Sequence, residues 1–300
     1  MNPVLLYSLI SFGFSWIIFF LVLLFNLSYK NLITIILLVI YMFGPFIASY
    51  IVTKIKKEKF TEKIGLNKKI NSWFFVSWFI FVFIVIFTIL ISILFPKISL
   101  SLKMEGFFEK FSDLLKDPST LKMKEQMEKM PLLFFFLSLI QGLFAGATIN
   151  AVAAFGEESG WRGFLLNEMK DKKFFDASIR IGLLWGAWHA PIIAFGHNYP
   201  QHPQIGVFMM IVWCILLTFI FNYLRIKSKN VLSSAVLHGT LNALAGISII
   251  YVKGGNDLTV GLTGISGFLS LTVFILIFFI YDVYILKEKI FLSKIGDKLN

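Results

Sequence analysis

Three short polar interruptions of apolar sequence hold the residues that could do chemistry. They are Glu157-Glu158-Ser159-Gly160-Trp161-Arg162, Trp185-Gly186-Ala187-Trp188-His189 and His238-Gly239-Thr240-Leu241-Asn242. An ionisable side chain at the centre of an apolar span costs about 2.5–3.5 kcal/mol on insertion scales, so each such residue is a functional hypothesis by default. The residue types suit hydrolysis. A carboxylate in a partly dry site gains basicity and can take a proton from water. A histidine beside it helps to polarise that water. A second histidine and an amide can donate hydrogen bonds to the charge that develops on a carbonyl oxygen.

The spacings sort these residues by role. Glu158 and Arg162 stand i,i+4 and can pair on one helix face. Glu157 points about 100° away from Glu158 on a helix, which frees it for another partner. Trp185 precedes His189 by one helical turn and can wall off a pocket on the same face, and Pro191 can bend that helix. His238 and Asn242 again share a face. Each pair alone has a bland reading: a solvated interfacial carboxylate, an intramembrane histidine bonding to a neighbouring helix, or polar glue between spans. Together they supply the parts for hydrolysing an amide inside or beside a bilayer. His197 and His202, in the 195–203 loop among prolines, read as ordinary surface residues.

The elements that must position these groups are membrane helices. Of the 300 residues, 57% are hydrophobic and 15% charged, with a mean hydropathy of +0.80; soluble domains carry about 25% charged residues. The net charge of +11 does not point to nucleic acid. It sits in short loops between apolar spans, where lysines set topology and meet anionic headgroups. The single Cys214 allows no intramolecular disulfide and reads as a small buried hydrophobe. The first apolar stretch lacks a positive n-region and reads as a retained helix.

Eight stretches are long enough to span, at about 4–27, 32–53, 73–96, 131–155, 178–196, 204–225, 231–252 and 261–286. The chain therefore reads as an all-α polytopic membrane protein of about eight transmembrane helices, one integral membrane domain over 1–300, with its motif region at about 155–245. Most of the 28 Lys and Arg residues lie in 54–71, 156–180, 225–230 and 287–300. That bias puts both termini in the cytoplasm. The outer segment 97–130 carries Met104, Phe107, Phe108, Phe111, Leu114 and Leu115 at helical spacing, with Glu105, Glu109, Lys110 and Asp113 between them. It reads as an interfacial amphipathic helix between the third and fourth spans, or as a structured loop packed on the bundle. Pro118 breaks it, and a second helical piece follows to Met130.

The ordered set Glu-Glu-x-x-x-Arg, aromatic-x-x-x-His and His-x-x-x-Asn on successive apolar segments resembles the CPBP intramembrane endopeptidases. That family includes the type II CAAX prenyl endopeptidases, the bacterial Abi proteins and bacteriocin-processing relatives. The resemblance covers about a third of the chain. It implies that Glu157 activates water, that His189 helps polarise it, that His238 and Asn242 hold the oxyanion, and that Glu158 and Arg162 complete the first motif. Trp185 stands where the family often has Phe, which keeps an aromatic and can change pocket shape. The resemblance leaves two accounts of metal. No cofactor is expected, but Glu157, His189 and His238 are the ligands a zinc ion would take if they converged. No His-Glu-x-x-His motif is present.

The expected activity is intramembrane endopeptidase action on a membrane-embedded or lipid-modified peptide near the cytoplasmic face of a bacterial plasma membrane. Membrane lipids are the other expected partners, and oligomeric state is not legible. The alternative is a non-catalytic immunity or scaffold protein, as in bacteriocin self-immunity. A transporter would show duplicated halves with matching interruptions, which this sequence lacks.

Overall fold

The computed structural model describes residues 1–27, 31–67, 69–110 and 118–299. Its long helices are α1 (Pro3–Leu24), α2 (Leu32–Met42), α3 (Gly44–Ile55), α4 (Ser72–Ser92), α5 (Pro131–Ala147), α6 (Ile149–Glu158), α7 (Phe174–Trp188), α8 (Pro203–Ser228), α9 (Val231–Leu244) and α10 (Ile265–Ile280). The only strands among the described residues are Ser99–Leu100 and Val252–Lys253, an antiparallel pair tying the outer segment to the loop after α9. The protein is an all-α polytopic membrane protein.

Among the described residues, six helices are long and apolar enough to cross a membrane, with α2 and α3 counted as one. A bent pair makes a seventh: the helix ending at Lys129 meets α5 at 109°. The difference from eight lies in the expected fourth and fifth spans, each of which is broken. The stretch 131–155 is α5 and α6, interrupted at Thr148 (φ −117°, ψ −98°). The stretch 178–196 is α7 followed by a five-residue helix, Ala190–Ala194. Pro191 has no N–H for the carbonyl of Ala187, so the helix stops at His189. Both interruptions occur in the segments that carry the motifs. Pro45 acts likewise between α2 and α3. It cannot donate to the carbonyl of Tyr41, which instead accepts the Ser15 hydroxyl at 2.8 Å.

Burial separates the helices that hold the site from those that face lipid. On α9, Ser233 through Leu241 are all buried. By contrast α1 and α10 turn Leu9, Phe20, Leu276 and Ile280 outward. Close approach of backbones sets the centre. A Cβ on Gly239 of α9 would stand 2.2 Å from the Gly146 carbonyl oxygen and 2.6 Å from the Ala151 nitrogen. Small residues admit such contacts, on which membrane helix packing relies because apolar burial drives nothing in lipid. Gly186 does the same for α7 on α8, where a Cβ would fall 2.5 Å from the Ile211 Cα.

In the outer segment, Glu105–Lys110 is helical, and Met104 and Phe108 are buried. This part packs its apolar side onto the protein, the second of the two readings above. Phe111, Asp113, Leu114 and Leu115 lie outside the described residues. The second helical piece is Pro118–Lys129. At the opposite, lysine-rich end, Glu168 pairs with Lys56 (2.7 Å) and with Lys63, and Lys63 also pairs with Glu58 (2.8 Å).

Candidate active site

Glu157 and Glu158 close α6, and the backbone then widens into a π-helical stretch, Ser159–Leu165. Such π turns occur often at functional sites. Glu158 and Arg162 are wholly buried, and Glu157 nearly so. Arg162 Nη1 donates to Glu158 Oε1 at 3.2 Å, the i,i+4 pair its spacing suggested. Burying such a pair costs more than its attraction returns unless further partners meet the charges. Here Arg162 Nη2 donates to Thr218 Oγ1 of α8 at 3.1 Å. The guanidinium also lies 4.2 Å from the ring centre of Trp185 and 4.5 Å from that of Phe221. These cation–π contacts strengthen in a dry setting.

The same Glu158 oxygen accepts from Nδ1 of His238 at 2.8 Å. One buried carboxylate thus joins the first motif to the third. With Nδ1 donating to Glu158, Nε2 of a neutral His238 would carry only a lone pair. An oxyanion role therefore requires the imidazolium, whose counter-charge Glu158 provides.

Trp185 does more than wall the pocket. Its indole N–H donates to Glu157 Oε2 at 2.7 Å. That fixes one carboxylate oxygen and leaves the other for water. His189 sits at the break after α7, with Nδ1 at 2.8 Å from the Trp185 carbonyl. A carbonyl only accepts, so Nδ1 carries the proton and Nε2 the free lone pair. The break is held from α1 and α2: the Trp188 carbonyl accepts from Tyr41 Oη (2.6 Å) and Trp16 Nε1 (3.0 Å). Sequence reasoning missed Thr218, Tyr41 and Trp16 as supports. The available signal was polar groups inside apolar spans, which recurs at many positions without consequence.

A cavity of about 440 Å³ gathers Glu157, Trp185, His189, His238 and Asn242. Asn242, unlike its partners, is exposed. Glu158 and Arg162 lie behind the cavity rather than in it. Ile35, Leu38 and Val39 of α2 form its apolar side, and His197, Asn198 and Thr263 line it from the loops before α8 and α10. The two loop histidines are surface residues, His197 exposed and His202 half-buried, and both have a place beside the site. His197 lines the cavity, and His202 Nδ1 lies 2.6 Å from Asp257 Oδ1. Asp257 Oδ2 also accepts from the Gln201 N–H at 2.6 Å, and Tyr199 Oη donates to the Thr263 carbonyl at 2.7 Å. These bonds clasp the 196–202 and 254–264 loops together beside the cavity.

Among the described residues no three of His, Cys, Asp and Glu are arranged to hold a metal ion. Trp185 holds one oxygen of Glu157 and Glu158 holds Nδ1 of His238, so both side chains are oriented with their other polar atoms uncommitted.

Residues 131–244 match the family model described as type II CAAX prenyl endopeptidase Rce1-like. The match runs from the start of α5 to the end of α9 and contains every residue of the three motifs. The chain is similar to a protein named CAAX prenyl protease 2 from Methanococcus maripaludis, with 29% identity over 101 residues, 30% of this chain and 36% of that protein. The chain thus spans about a third of the length of the curated relative it matches. Both findings bear out the resemblance to the CPBP family over the segments they cover.

Proposed function

We propose that the protein is an intramembrane endopeptidase that hydrolyses a peptide bond in a membrane-embedded or lipid-modified peptide, without a metal ion. Glu157 takes a proton from water through its uncommitted oxygen. Nε2 of His189 accepts a hydrogen bond from the same water and orients it. The hydroxide attacks the scissile carbonyl, and the oxyanion receives hydrogen bonds from Nε2–H of His238 and the Asn242 amide. Collapse of the intermediate returns the proton to the leaving amine. Glu158 and Arg162 hold His238 and α6, and Trp185 orients Glu157. The observation that carries this reading is the single cavity shared by Glu157, His189, His238 and Asn242. Its apolar side on α2 suits a substrate delivered from the membrane.

The plasma membrane and cytoplasmic termini belong to this proposal. The cavity residues Asn198 and Thr263 lie just before the starts of α8 and α10. The lysine-rich loops lie at the far end of α8, about 39 Å away for a 26-residue helix. With the lysine-rich end inside, this side of the cavity faces the outer side of the membrane.

The test is cleavage of a fluorogenic prenylated tetrapeptide by protein in nanodiscs, with and without a chelator. Wild type should cleave in both conditions, and Glu157→Gln and His189→Ala should lose about 10²–10⁴-fold in rate, the usual share of acid–base catalysis. Unchanged cleavage in both variants would sink the mechanism. Loss on chelation with rescue by zinc would sink its metal-free form.

A further inference from the structure

A second cavity, of about 710 Å³, lies at the lysine-rich end. Its unusual feature is Arg225, near the end of α8. Arg225 is only 3% exposed. Its Nη2 donates to the Ile64 carbonyl at 3.3 Å, while Nε and Nη1 are buried with no hydrogen-bond partner. Arg162, the other buried arginine of α8's surroundings, shows what such a group normally receives: a carboxylate, a hydroxyl and two aromatic faces. Among the described residues Arg225 makes no ion pair. An unpaired buried cation costs several kcal/mol, and orphaned buried polar atoms call for an explanation such as a bound ion.

The surroundings fit an anion. Lys69, Lys229, Asn167 and Ser228 line the cavity with Arg225. The carboxylate in the lining, Glu62, is paired with Lys59 at 2.6 Å. Asn71, also in the wall, uses its amide to hold the Lys227 carbonyl at 3.0 Å and so builds the cavity rather than binding in it. Gly65 supplies the room: at φ +67°, a Cβ there would fall 1.7 Å from Arg225 Nη2. The cavity sits between the start of α4 and the end of α8, at the level where spans leave the hydrocarbon. Basic pockets at that level take anionic headgroups, and the guanidinium fork matches phosphate oxygens. We infer that this cavity binds a phosphate-bearing anion, with Arg225 as its buried anchor.

Thermal unfolding of the purified protein, followed by tryptophan fluorescence, tests this without reference to cleavage. Its failure is therefore separate from failure of the proposed hydrolysis. The additives are phosphatidylglycerol, phosphatidylcholine and inorganic phosphate at matched ionic strength. Phosphatidylglycerol should raise the wild-type midpoint by about 4 °C, the scale of a ligand held well above its Kd. Phosphatidylcholine should not. Arg225→Gln should abolish the shift. Lys69→Glu, an exposed change at the rim that spares the fold, should weaken it. A matching shift with inorganic phosphate identifies a general phosphate site, and its absence identifies a lipid headgroup site. No wild-type shift with either anion overturns the inference, as does a shift that is equal in both variants.

Discussion

Trp185 makes a hydrogen bond that phenylalanine in its place would not, and the bond goes to the residue with most to lose from it. An N–H on Glu157 Oε2 at 2.7 Å fixes the carboxylate's orientation while withdrawing some of its basicity. Hydrogen bonds to charged groups contribute about 1.5–3 kcal/mol. If orientation dominates, Trp185→Phe should lower kcat about tenfold with KM little changed. The acidic limb of its pH–rate profile should move to higher pH, because the ionised carboxylate has lost a donor; a variant defective only in folding would keep the limb in place. A kcat that rises would show that the bond restrains the base instead. The two adjacent carboxylates should separate by phenotype. Glu157→Gln removes the base and leaves the buried Arg162 paired, so its unfolding midpoint should stay near wild type. Glu158→Gln strips the counter-charge from both Arg162 and His238. It should destabilise by about 3–5 kcal/mol, the cost of an uncompensated buried charge, seen as a lower midpoint before any loss of activity is interpreted. Equal stability of the two variants would contradict the shared-carboxylate arrangement.

At the level of elements, the site depends on interruptions. The stop at His189 turns its ring toward the cavity, and the π-helical stretch after Glu158 follows directly on the paired carboxylates. Against these, α9 must lie close enough for His238 to reach Glu158, which Gly239 permits by touching the α5–α6 junction. Gly239→Val should push α9 outward and lose the His238–Glu158 bond. The cost should reach about 1–3 kcal/mol, as overpacking usually does, together with loss of cleavage. Gly13, with open space where a Cβ would stand, is the control: Gly13→Ala should leave both measurements unchanged. A tolerated Gly239→Val would show that the close contact is incidental.

For the whole molecule, the cavity residues Asn198 and Thr263 and the lysine-rich loops lie at opposite ends of α8, so orientation decides which side of the membrane each faces. Cysteine labelling in intact cells reads it directly, because the native Cys214 is buried and does not compete. Asn198→Cys should react with a membrane-impermeant maleimide from outside. Lys69→Cys should react only after permeabilisation. The reverse pattern would place Asn198 in the cytoplasm and overturn the assignment from lysine bias. The clasp of His202 and Gln201 on Asp257 joins the loops before α8 and α10 at that same end.

The class of the molecule and the candidates for its reacting groups were legible in the sequence. Composition demands a bilayer, and ionisable residues are too costly there to be scattered without use, so Glu157, His189, His238 and Asn242 announce themselves. Spacing also gave the Glu158–Arg162 pair, because i,i+4 contacts are local. Contacts between segments distant in sequence carry no such signature. That Glu158 also serves His238, that Trp185 bonds Glu157, and that Thr218 and Tyr41 support the site emerged only when the helices packed. So did the breaks in the fourth and fifth spans. A hydropathy window averages over a proline or a threonine, whereas the backbone must lose a hydrogen bond there and bend. Arg225 shows the limit most plainly: in sequence it is one of many basic residues at a helix end, and only packing leaves it buried, unpaired and beside a cavity.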